Sequence, residues 1–408
     1  MAGSERVLQG SFPARRAAAD RYEQLLRSAE ELIPRLSERA ATAEELRRLP
    51  QETELDLHER GLFRILQPQR LGGAELDYVA LVDFGDVLAR GCAATAWNFC
   101  NLASHHWLLA MWPKAAQDRI WGANPDVLIS SSFVFPAGKA TRVDGGYRLS
   151  GRWPFSSGVD PSEWNMLAGV VLEEDYDRHE YRVFILNKSD YRIVDTWHTM
   201  GLRGTGSKDV VAEDVFVPEE MTLAAADMKG GPTPGSRVNP NPLYQIPVFA
   251  LFPYVLSGVA LGNAQATVED YIASTRDRVS RYNGVKVGDF QSTQIKIGDA
   301  GAKVDAARRV MRQICEEAMD DAARGRVPTM IEKTRFRRDG AFSVGLCTEA
   351  VDQLFTATGA GGLYASNAVQ RRFRDAHAIA AHIAFSTDMA GAAYGRAALG
   401  LDPDNPTL

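Results

Sequence analysis

The sequence has few of the features that mark secreted, metal-binding or nucleic-acid-binding proteins. Its 408 residues include four cysteines, Cys92, Cys100, Cys315 and Cys347, without the Cys-x-x-Cys spacing of a redox pair or a zinc site. Asp and Glu (52) outnumber Lys and Arg (46), which gives a net charge of −6. We therefore expect buried thiols in a reducing compartment, no metal site and no nucleic-acid partner.

Signals for membrane insertion or export are also absent. No apolar run reaches the ~18 residues of a spanning helix, and residues 1–16 contain no apolar segment typical of a secretion signal. The sequence thus predicts a cytoplasmic protein that makes no contact with a membrane.

Hydrophobic periodicity divides the chain into three parts. Helical spacing dominates up to about residue 121, short β-rich runs follow from Val127 to Pro218, and four long helical patterns come after a Pro- and Gly-rich stretch at 230–247. The Asp144-Gly145 pair predicts a tight β-hairpin, because both residue types tolerate positive φ. We expect a helical domain (1–124), a β-domain (125–230) and a linker with a four-helix bundle (231–408). Each of the last four patterns, including Ala368–Leu399, is expected to be one helix.

Motifs in each part resemble one family. The first part contains Glu59-Arg-Gly-Leu and Leu71-Gly-Gly. The later parts contain Gly151-Arg-Trp-Pro-Phe-Ser-Ser157, Met200-Gly-Leu-Arg203, Gly359-Ala-Gly-Gly362 and Arg374-Asp-Ala376. In order and spacing they resemble the acyl-CoA dehydrogenase superfamily over nearly the whole chain. The resemblance implies an α+β fold with an N-terminal helical domain, a central β-barrel domain and a C-terminal four-helix bundle. It also implies a homotetramer with flavin at subunit interfaces.

The same resemblance implies a set of flavin-binding residues, for which simpler structural roles are also possible. The strand at 153–157 could be a core strand ending in a turn, and Gly359–Gly362 could be an ordinary turn between helices. The family's arginine motif is altered here to Arg281-Tyr-Asn-Gly284, so FAD and FMN both remain possible. The implied residues are Ser132, Trp153, Phe155, Ser156, Ser157, Arg281, Gln294, Gly359, Gly361 and Gly362.

One family feature is missing. An acyl-CoA dehydrogenase needs a carboxylate to accept the substrate's α-proton. Aligned on Arg374-Asp-Ala376, the usual position falls on Ile383, and the alternative position falls near Phe252. Neither side chain can accept a proton, so desaturation of a thioester is not expected.

The chain is instead similar to the superfamily's two-component monooxygenases, which include the oxygenase components of 4-hydroxyphenylacetate hydroxylase and of the steroid-ring phenol hydroxylase. These use reduced flavin (FADH2 or FMNH2) from a separate NAD(P)H-dependent reductase, and O2, to form a C4a-hydroperoxyflavin that hydroxylates an aromatic ring. The resemblance implies that His105 and Ser131 hold a phenol and that His382 faces the flavin. With its ordinary pKa of about 6.5, His382 would both give and take a proton.

Several interpretations stay open on sequence alone. His382 could be a packed helix residue, and either His105 or His106 could face the site. Aromatic residues that could line a substrate pocket, or equally form core, are Phe99, Trp107, Phe133 and Phe252. The substrate could be a phenol, an indole or a polyketide ring; alternatives are an N- or S-oxygenase, a dehydrogenase-like protein and a silent flavin-binding protein.

Overall fold

The computed structural model describes residues 12–172, 179–280 and 282–408. Within these ranges six α-helices come first, followed by eight strands and then six further α-helices. The helices are α1 Phe12–Glu30, α2 Ile33–Leu46, α3 Gln51–Glu59, α4 Ala80–Gly91, α5 Ala93–Leu109, α6 Lys114–Trp121, α7 Val248–Leu251, α8 Pro253–Arg276, α9 Gln291–Ala323, α10 Met330–Thr358, α11 Ala368–Ala380 and α12 Thr387–Ala398. The strands are β1 Ile129–Ser132, β2 Gly138–Val143, β3 Gly146–Ser156, β4 Trp164–Val171, β5 Glu180–Asn187, β6 Arg192–Val194, β7 Lys208–Pro218 and β8 Thr222–Ala224.

The strands of the β-domain form one mixed sheet. Its order is β6-β7-β3-β2-β4-β5-β8, and β1 pairs with β4 in parallel. The predicted hairpin is present, since β2 and β3 pair antiparallel up to Val143 and Gly146, and Gly145 has a φ of +73°. Between Trp153 and Ser156 the register of β3 against β7 shifts, so the end of β3 bends away from regular pairing.

Helix α8 joins the N-terminal helices to the bundle. A Cβ atom on Gly258 would lie 2.3 Å from the Val82 carbonyl oxygen, and one on Gly262 would lie 2.0 Å from the Asp86 carbonyl oxygen. Both positions require glycine because the backbones of α8 and α4 touch there. This close contact makes the helical parts one continuous core.

Helices α7 and α8 together form a long apolar stretch in the described part of the chain. Residues Val248–Arg276 are long and apolar enough to span a membrane, but 89% of their most apolar window is buried inside the protein. The apolar surface of this segment is therefore covered by protein.

The predicted helix over Ala368–Leu399 is wrong in one respect, because it is broken in two. His382 has extended backbone (ψ 138°), and a short 3₁₀ turn over Ile383–Phe385 separates α11 from α12. The hydroxyl of Ser386 accepts the backbone N–H of Met389 and caps the start of α12. His382 therefore lies at the break between helices and not on a helix face.

Candidate active site

A cavity of about 780 Å³ lies where helix α5, the sheet and the broken helix meet. Its walls are mostly aromatic and aliphatic, and its polar groups are hydroxyls, one amide and one imidazole. The lining residues are Trp97, Asn101, Ser131, Ser132, Phe133, Val134, Phe135, Pro136, Phe155, Ser157, Tyr181, Trp197, Leu202, Ser207, Phe252, Ala378, Ala381, His382, Ile383, Pro406 and Thr407.

Strand β1 supplies two of the predicted residues. Ser132 donates its hydroxyl to the Pro154 carbonyl oxygen at 2.6 Å, so its proton is already used. Ser131 also lines the cavity, and its hydroxyl has no hydrogen bond to any described residue. Of the two serines that β1 contributes to the cavity wall, Ser131 is therefore the one free to bind a ligand.

Strand β3 divides the predicted flavin residues between two sides. Phe155 and Ser157 line the cavity, whereas Trp153 is fully buried and donates its indole N–H to the Ala168 carbonyl oxygen. Ser156 accepts a hydrogen bond from Asn165 at 3.0 Å, away from the cavity. The predicted ligand contacts of Trp153 and Ser156 thus need correction. Ser156 alternates with its neighbours Phe155 and Ser157, and the register shift between Trp153 and Ser156 separates Trp153 from the residues that line the cavity.

Phe155 has an unusual backbone. Its φ is +66°, which a bulky aromatic residue rarely adopts, and its ring is 62% exposed. The ring contacts Trp197 edge to face at 6.3 Å. The strained backbone therefore holds an aromatic ring at the cavity wall, where the register of β3 shifts.

Helix α5 presents a polar stripe at intervals of four residues. Trp97 and Asn101 line the cavity, and His105 comes one turn later on the same face. The Asn101 amide nitrogen donates to the Trp97 carbonyl oxygen at 2.9 Å, which leaves the amide oxygen as a free acceptor at the wall. The spacing of Trp97, Asn101 and His105 at four-residue intervals was a missed signal for one polar face of this helix.

The structure distinguishes His105 from His106. His105 contacts the cavity residue Phe133 at 6.1 Å between ring centroids, although it does not line the cavity itself. His106 turns away, stacks on Trp121 and accepts that residue's indole N–H at 3.0 Å. Of the two histidines, His105 is therefore the one beside the cavity.

Backbone contacts fix the tautomers of His105 and His382. His105 Nδ1 is 2.5 Å from the Ile129 carbonyl oxygen, which can only accept, so Nδ1 carries the proton and Nε2 is bare. His382 Nδ1 accepts the backbone N–H of Ala384 at 3.2 Å, so its proton is on Nε2. His105 thus offers an acceptor and His382 a donor.

Both imidazoles are neutral at pH 7. Burial lowers the pKa of His105 to about 4, although the hydrogen bond to Ile129 opposes the shift. Burial, together with the positive charge of Arg337, lowers the pKa of His382 to about 4. The expected ordinary pKa of His382 is therefore wrong, and this residue is a hydrogen-bond donor and not a proton shuttle at neutral pH.

The two positions where a dehydrogenase holds its carboxylate both border this cavity. Ile383 and Phe252 line it, and Phe252 packs against the His382 ring at 5.9 Å. No Asp or Glu side chain is among the described residues that line the cavity. No group of three His, Cys, Asp or Glu side chains that could hold a metal occurs in the described parts of the chain.

The predicted glycine turn lies at a second, smaller cavity of about 330 Å³. Gly361 lines it together with Arg278, Thr358 and Asn367, and Asp270 is also in its wall. Arg278 donates Nη1 to the Thr358 carbonyl oxygen at 3.2 Å, while its buried Nε has no partner among the described residues. An unpaired guanidinium N–H beside a glycine turn suits an anion.

The remaining predicted residues lie elsewhere. Gly359 and Gly362 belong to the same 3₁₀ turn as Gly361 without lining that cavity, Gln294 is exposed near the start of α9, and Arg281 lies outside the described residues. Phe99 packs between Phe63 and Phe84, and Trp107 donates to the Leu243 carbonyl oxygen; both are fully buried core, which corrects their assignment to the pocket.

Phe133 and Phe252 do line the cavity, as predicted for a pocket, within a larger set of residues that the sequence did not indicate. Among the missed residues, Leu202 lies inside the recognised motif Met200–Arg203, and Ser207 follows the Gly-Thr-Gly segment that comes directly after that motif. Pro406 and Thr407 come from the end of the chain, where Leu408 is only 2% exposed. No sequence pattern marks a C-terminal segment that folds back onto a distant cavity.

Comparisons with known proteins identify the family of this chain. The models "Acyl-CoA dehydrogenase, N-terminal domain" and "Acyl-CoA dehydrogenase, C-terminal domain" match residues 20–122 and 254–387. The chain is 36% identical to the flavin-dependent monooxygenase oxygenase subunit HsaA of Rhodococcus jostii, over 91% of this chain and 97% of that protein. It is 34% identical to the oxygenase component of p-hydroxyphenylacetate 3-hydroxylase of Acinetobacter baumannii, over 94% of this chain and 90% of that protein.

A solved structure extends the similarity to a flavin complex. XiaF from a Streptomyces species, in complex with FADH2 and glycerol, has a TM-score of 0.89 and 28% identity, covering 97% of this chain and all of XiaF (100%). The predicted resemblance is thus confirmed. The chain belongs to the acyl-CoA dehydrogenase superfamily and, within it, to the oxygenase components of flavin-dependent monooxygenases.

Proposed function

We propose that this protein hydroxylates a small phenolic ring, using O2 and reduced flavin delivered by a separate NAD(P)H-dependent reductase. The observation that carries the proposal is the lining of the large cavity: hydroxyls and a fixed imidazole donor among aromatic walls, with no carboxylate from the described residues. A site of this kind lacks the base for dehydrogenation but can hold a phenol beside a flavin.

The cavity residues fit a flavin. Phe155 and Trp197 provide aromatic surface, and the side chains of Ser157 and Ser207, which are hydrogen-bonded to each other, lie in the same wall. Bound reduced flavin would supply the activation of O2, which protein side chains alone cannot perform. We infer that Ser157 lies near flavin N5, as the family resemblance implies.

His105 and Ser131 would hold the ring hydroxyl of the substrate. The bare Nε2 of His105 accepts a hydrogen bond, and with a pKa of about 4 it polarises the phenolic O–H without removing its proton. His105 contacts Ile129 on β1, and Ser131 lies two residues further along the same strand. Ser131 adds a free hydroxyl at the cavity wall. Polarising the O–H increases electron density at the ortho carbon, which is the position attacked.

His382 would act as a permanent donor. Its Nε2–H is held by the Ala384 contact at Nδ1, and its ring packs between Trp97 at 5.5 Å and Phe252 at 5.9 Å. Because the pKa of His382 is lowered to about 4, its imidazole stays neutral between pH 6 and 8. Its Nε2–H can therefore donate to an oxygen atom of a bound ligand at any pH in that range. The aromatic neighbours exclude water from the same place.

The second cavity favours FAD over FMN. The unpaired Nε of Arg278, the Gly361 backbone and the start of α11 at Asn367 offer donors for the diphosphate that only FAD carries. Following the family resemblance, we infer that this cavity serves the flavin of a neighbouring subunit in a homotetramer.

Exposed apolar residues on the bundle support such an assembly. They lie on α10, in the turn after α10, on α12 and directly after α12, and they are Phe342, Leu363, Tyr364, Met389 and Leu399. We also propose that the chain divides into three domains, with the bounds 1–124, 125–230 and 231–408.

The proposal is tested by supplying reduced FAD and ¹⁸O2 with a panel of phenols that includes 4-hydroxyphenylacetate. We expect one ¹⁸O atom in a catechol product, with better coupling for FADH2 than for FMNH2. His105→Ala should lower phenol hydroxylation by about 100-fold, because the polarising acceptor is lost. His198→Ala, an exposed histidine outside the cavity, is the matched control. Hydrogen peroxide as the only product across the panel would refute the proposal.

The same assay separates the alternative N- or S-oxygenase. A thioether of similar shape has no hydroxyl for His105 to bind. If His105→Ala reduced thioether oxidation as strongly as phenol hydroxylation, or if thioethers were the better substrates, the phenol assignment would be wrong.

A further inference from the structure

A chain of hydrogen bonds runs from helix α5 through the cavity wall to the loop before β7. The Trp97 indole N–H donates to Ser157 Oγ at 3.0 Å, Ser157 Oγ and Ser207 Oγ are 2.7 Å apart, and so are Ser207 Oγ and Thr205 Oγ1. Thr205 Oγ1 donates to the Leu202 carbonyl oxygen at 2.9 Å. Four side chains and one carbonyl are thus connected in series.

The direction of every proton in this chain is fixed by its two ends. An indole N–H can only donate and a carbonyl oxygen can only accept, and each hydroxyl has a single proton. Since Thr205 gives its proton to Leu202, Ser207 must donate to Thr205, and Ser157 must donate to Ser207. Ser157 then has no proton left for the cavity, but it retains one lone pair.

The carbonyl at the end of the chain is itself firmly held. The Trp197 indole N–H donates to the Leu202 oxygen at 3.0 Å, and the Leu202 backbone N–H donates to buried Asp375 on α11 at 2.7 Å. Leu202 has a left-handed backbone with a φ of +49°, so the loop is fixed in one uncommon conformation. The acceptor end of the chain therefore does not rotate to release the proton of Thr205.

We propose that Thr205 and Ser207 are positioning residues that make Ser157 a hydrogen-bond acceptor toward the cavity, so that the site selects reduced flavin over oxidised flavin. The inference rests on the proposed function, in which flavin N5 lies near Ser157. Reduced flavin carries an N5–H that can donate to the free lone pair. Oxidised flavin presents a bare N5, which would face another acceptor and lose the hydrogen bond that it makes in water.

Replacing either positioning residue should free the Ser157 proton. In Ser207→Ala, Ser157 loses its acceptor and can donate to the bare N5 of oxidised flavin. In Thr205→Val, Ser207 can no longer donate to Thr205 and turns its proton to Ser157, with the same result. Thr205 does not line the cavity, so its effect cannot come from a direct contact with the flavin.

The experiment measures the dissociation constants of FADH2, under anaerobic conditions, and of FAD by absorbance titration of the full-length protein. We expect the ratio of FAD to FADH2 dissociation constants to fall about tenfold in Ser207→Ala and in Thr205→Val. For this two-electron couple, that change lowers the bound-flavin potential by about 30 mV relative to the wild type. The control is Ser162→Ala, a buried serine that donates to the Gly158 carbonyl oxygen at 2.8 Å outside the chain, for which no change is expected.

The outcomes are distinct. A ratio within twofold of the wild type in both variants would overturn the inference, and a change in Ser207→Ala alone would do the same, because it would indicate a local contact. If Thr205→Val did not fold, by circular dichroism, Thr205→Ala would replace it, because it also removes the hydroxyl and should lower the ratio about tenfold. Thr205→Ser keeps the hydroxyl and should leave the ratio unchanged. Failure of the wild-type protein to bind FADH2 at all would instead refute the proposed function.

Discussion

Buried Asp375 should make the protein less stable as the pH rises, and its replacement by Asn should remove this effect. Burial, the largest cause, and nearby Glu44 raise the pKa of Asp375 from 3.8 to about 6, while the Leu202 N–H and two arginines oppose the shift. At 1.36 kcal/mol per pKa unit, keeping this carboxyl ionised in the folded state costs about 3 kcal/mol. The carboxyl is buried, so little of this cost is screened by solvent.

The sign follows from the two protonation states. Below pH 3.8 the carboxyl is protonated in both the folded and unfolded chains, so it has no effect on stability. Between that pH and about 6 the unfolded chain releases its proton first, and folding loses up to about 3 kcal/mol, a loss that persists at higher pH. Asn keeps an oxygen that can accept the Leu202 N–H but carries no charge.

Calorimetric melting of wild-type and Asp375→Asn protein at pH 4.5, 5.5, 6.5 and 7.5 tests this reasoning. At about 2.1 cal/mol/K of unfolding entropy per residue, 3 kcal/mol in a chain of 408 residues corresponds to about 3–4 °C. We expect the Asn variant to gain up to this amount over the wild type as the pH rises to 6.5, and then to level off. Asp375→Ala is the control: it leaves the Leu202 N–H unpaired and should melt lower than Asp375→Asn at every pH. A difference between wild type and Asp375→Asn that does not depend on pH would refute the electrostatic account.

Two further predictions concern His106 and the strained backbone of Phe155. Burial lowers the pKa of His106 to about 3, so the folded chain resists protonation there while the unfolded chain takes up a proton below about pH 6.5. The free energy of unfolding of His106→Gln should therefore fall less steeply with acid than that of the wild type. The difference in slope should be about 1.4 kcal/mol per pH unit between pH 6 and 4, measured by denaturant titration. Parallel curves for the two proteins would contradict this prediction. Phe155→Gly should be more stable than Phe155→Ala by about 1 kcal/mol, because only glycine is unstrained at a φ of +66°, and both should bind FADH2 more weakly since the aromatic wall is lost. Equal stability of the Gly and Ala variants would show that the backbone is not strained.

The family, the order of the three parts and the hairpin at Asp144-Gly145 could be predicted from the sequence, because they depend on local periodicity and on short motifs. It also indicated that Ile383 and Phe252 leave no carboxylate where a dehydrogenase needs one, and both residues border the cavity. Residue identity alone is enough to show that a side chain cannot accept a proton.

The direction in which each side chain points was harder to predict from the sequence. Trp153 and Ser156 belong to the recognised motif but hydrogen-bond to residues of the sheet and do not line the cavity. Phe99 and Trp107 are buried in the core. A motif does not specify on which side of a bent strand or packed helix a side chain lies. The apolar periodicity through His382 predicted one helix and gave no sign of the break. The break is stabilised by the contact of His382 with the Ala384 backbone N–H and by the Ser386 cap.

The sequence by itself determined which chemical groups this protein has and which it lacks. Only the tertiary structure decided their state: the bare Nε2 of His105, the Nε2–H of His382 and the acceptor character of Ser157. Each is set by a partner distant in sequence or by a backbone group at a break in regular structure. The polarity of a hydrogen bond depends on what lies at its other end, and that is fixed only when the chain has folded.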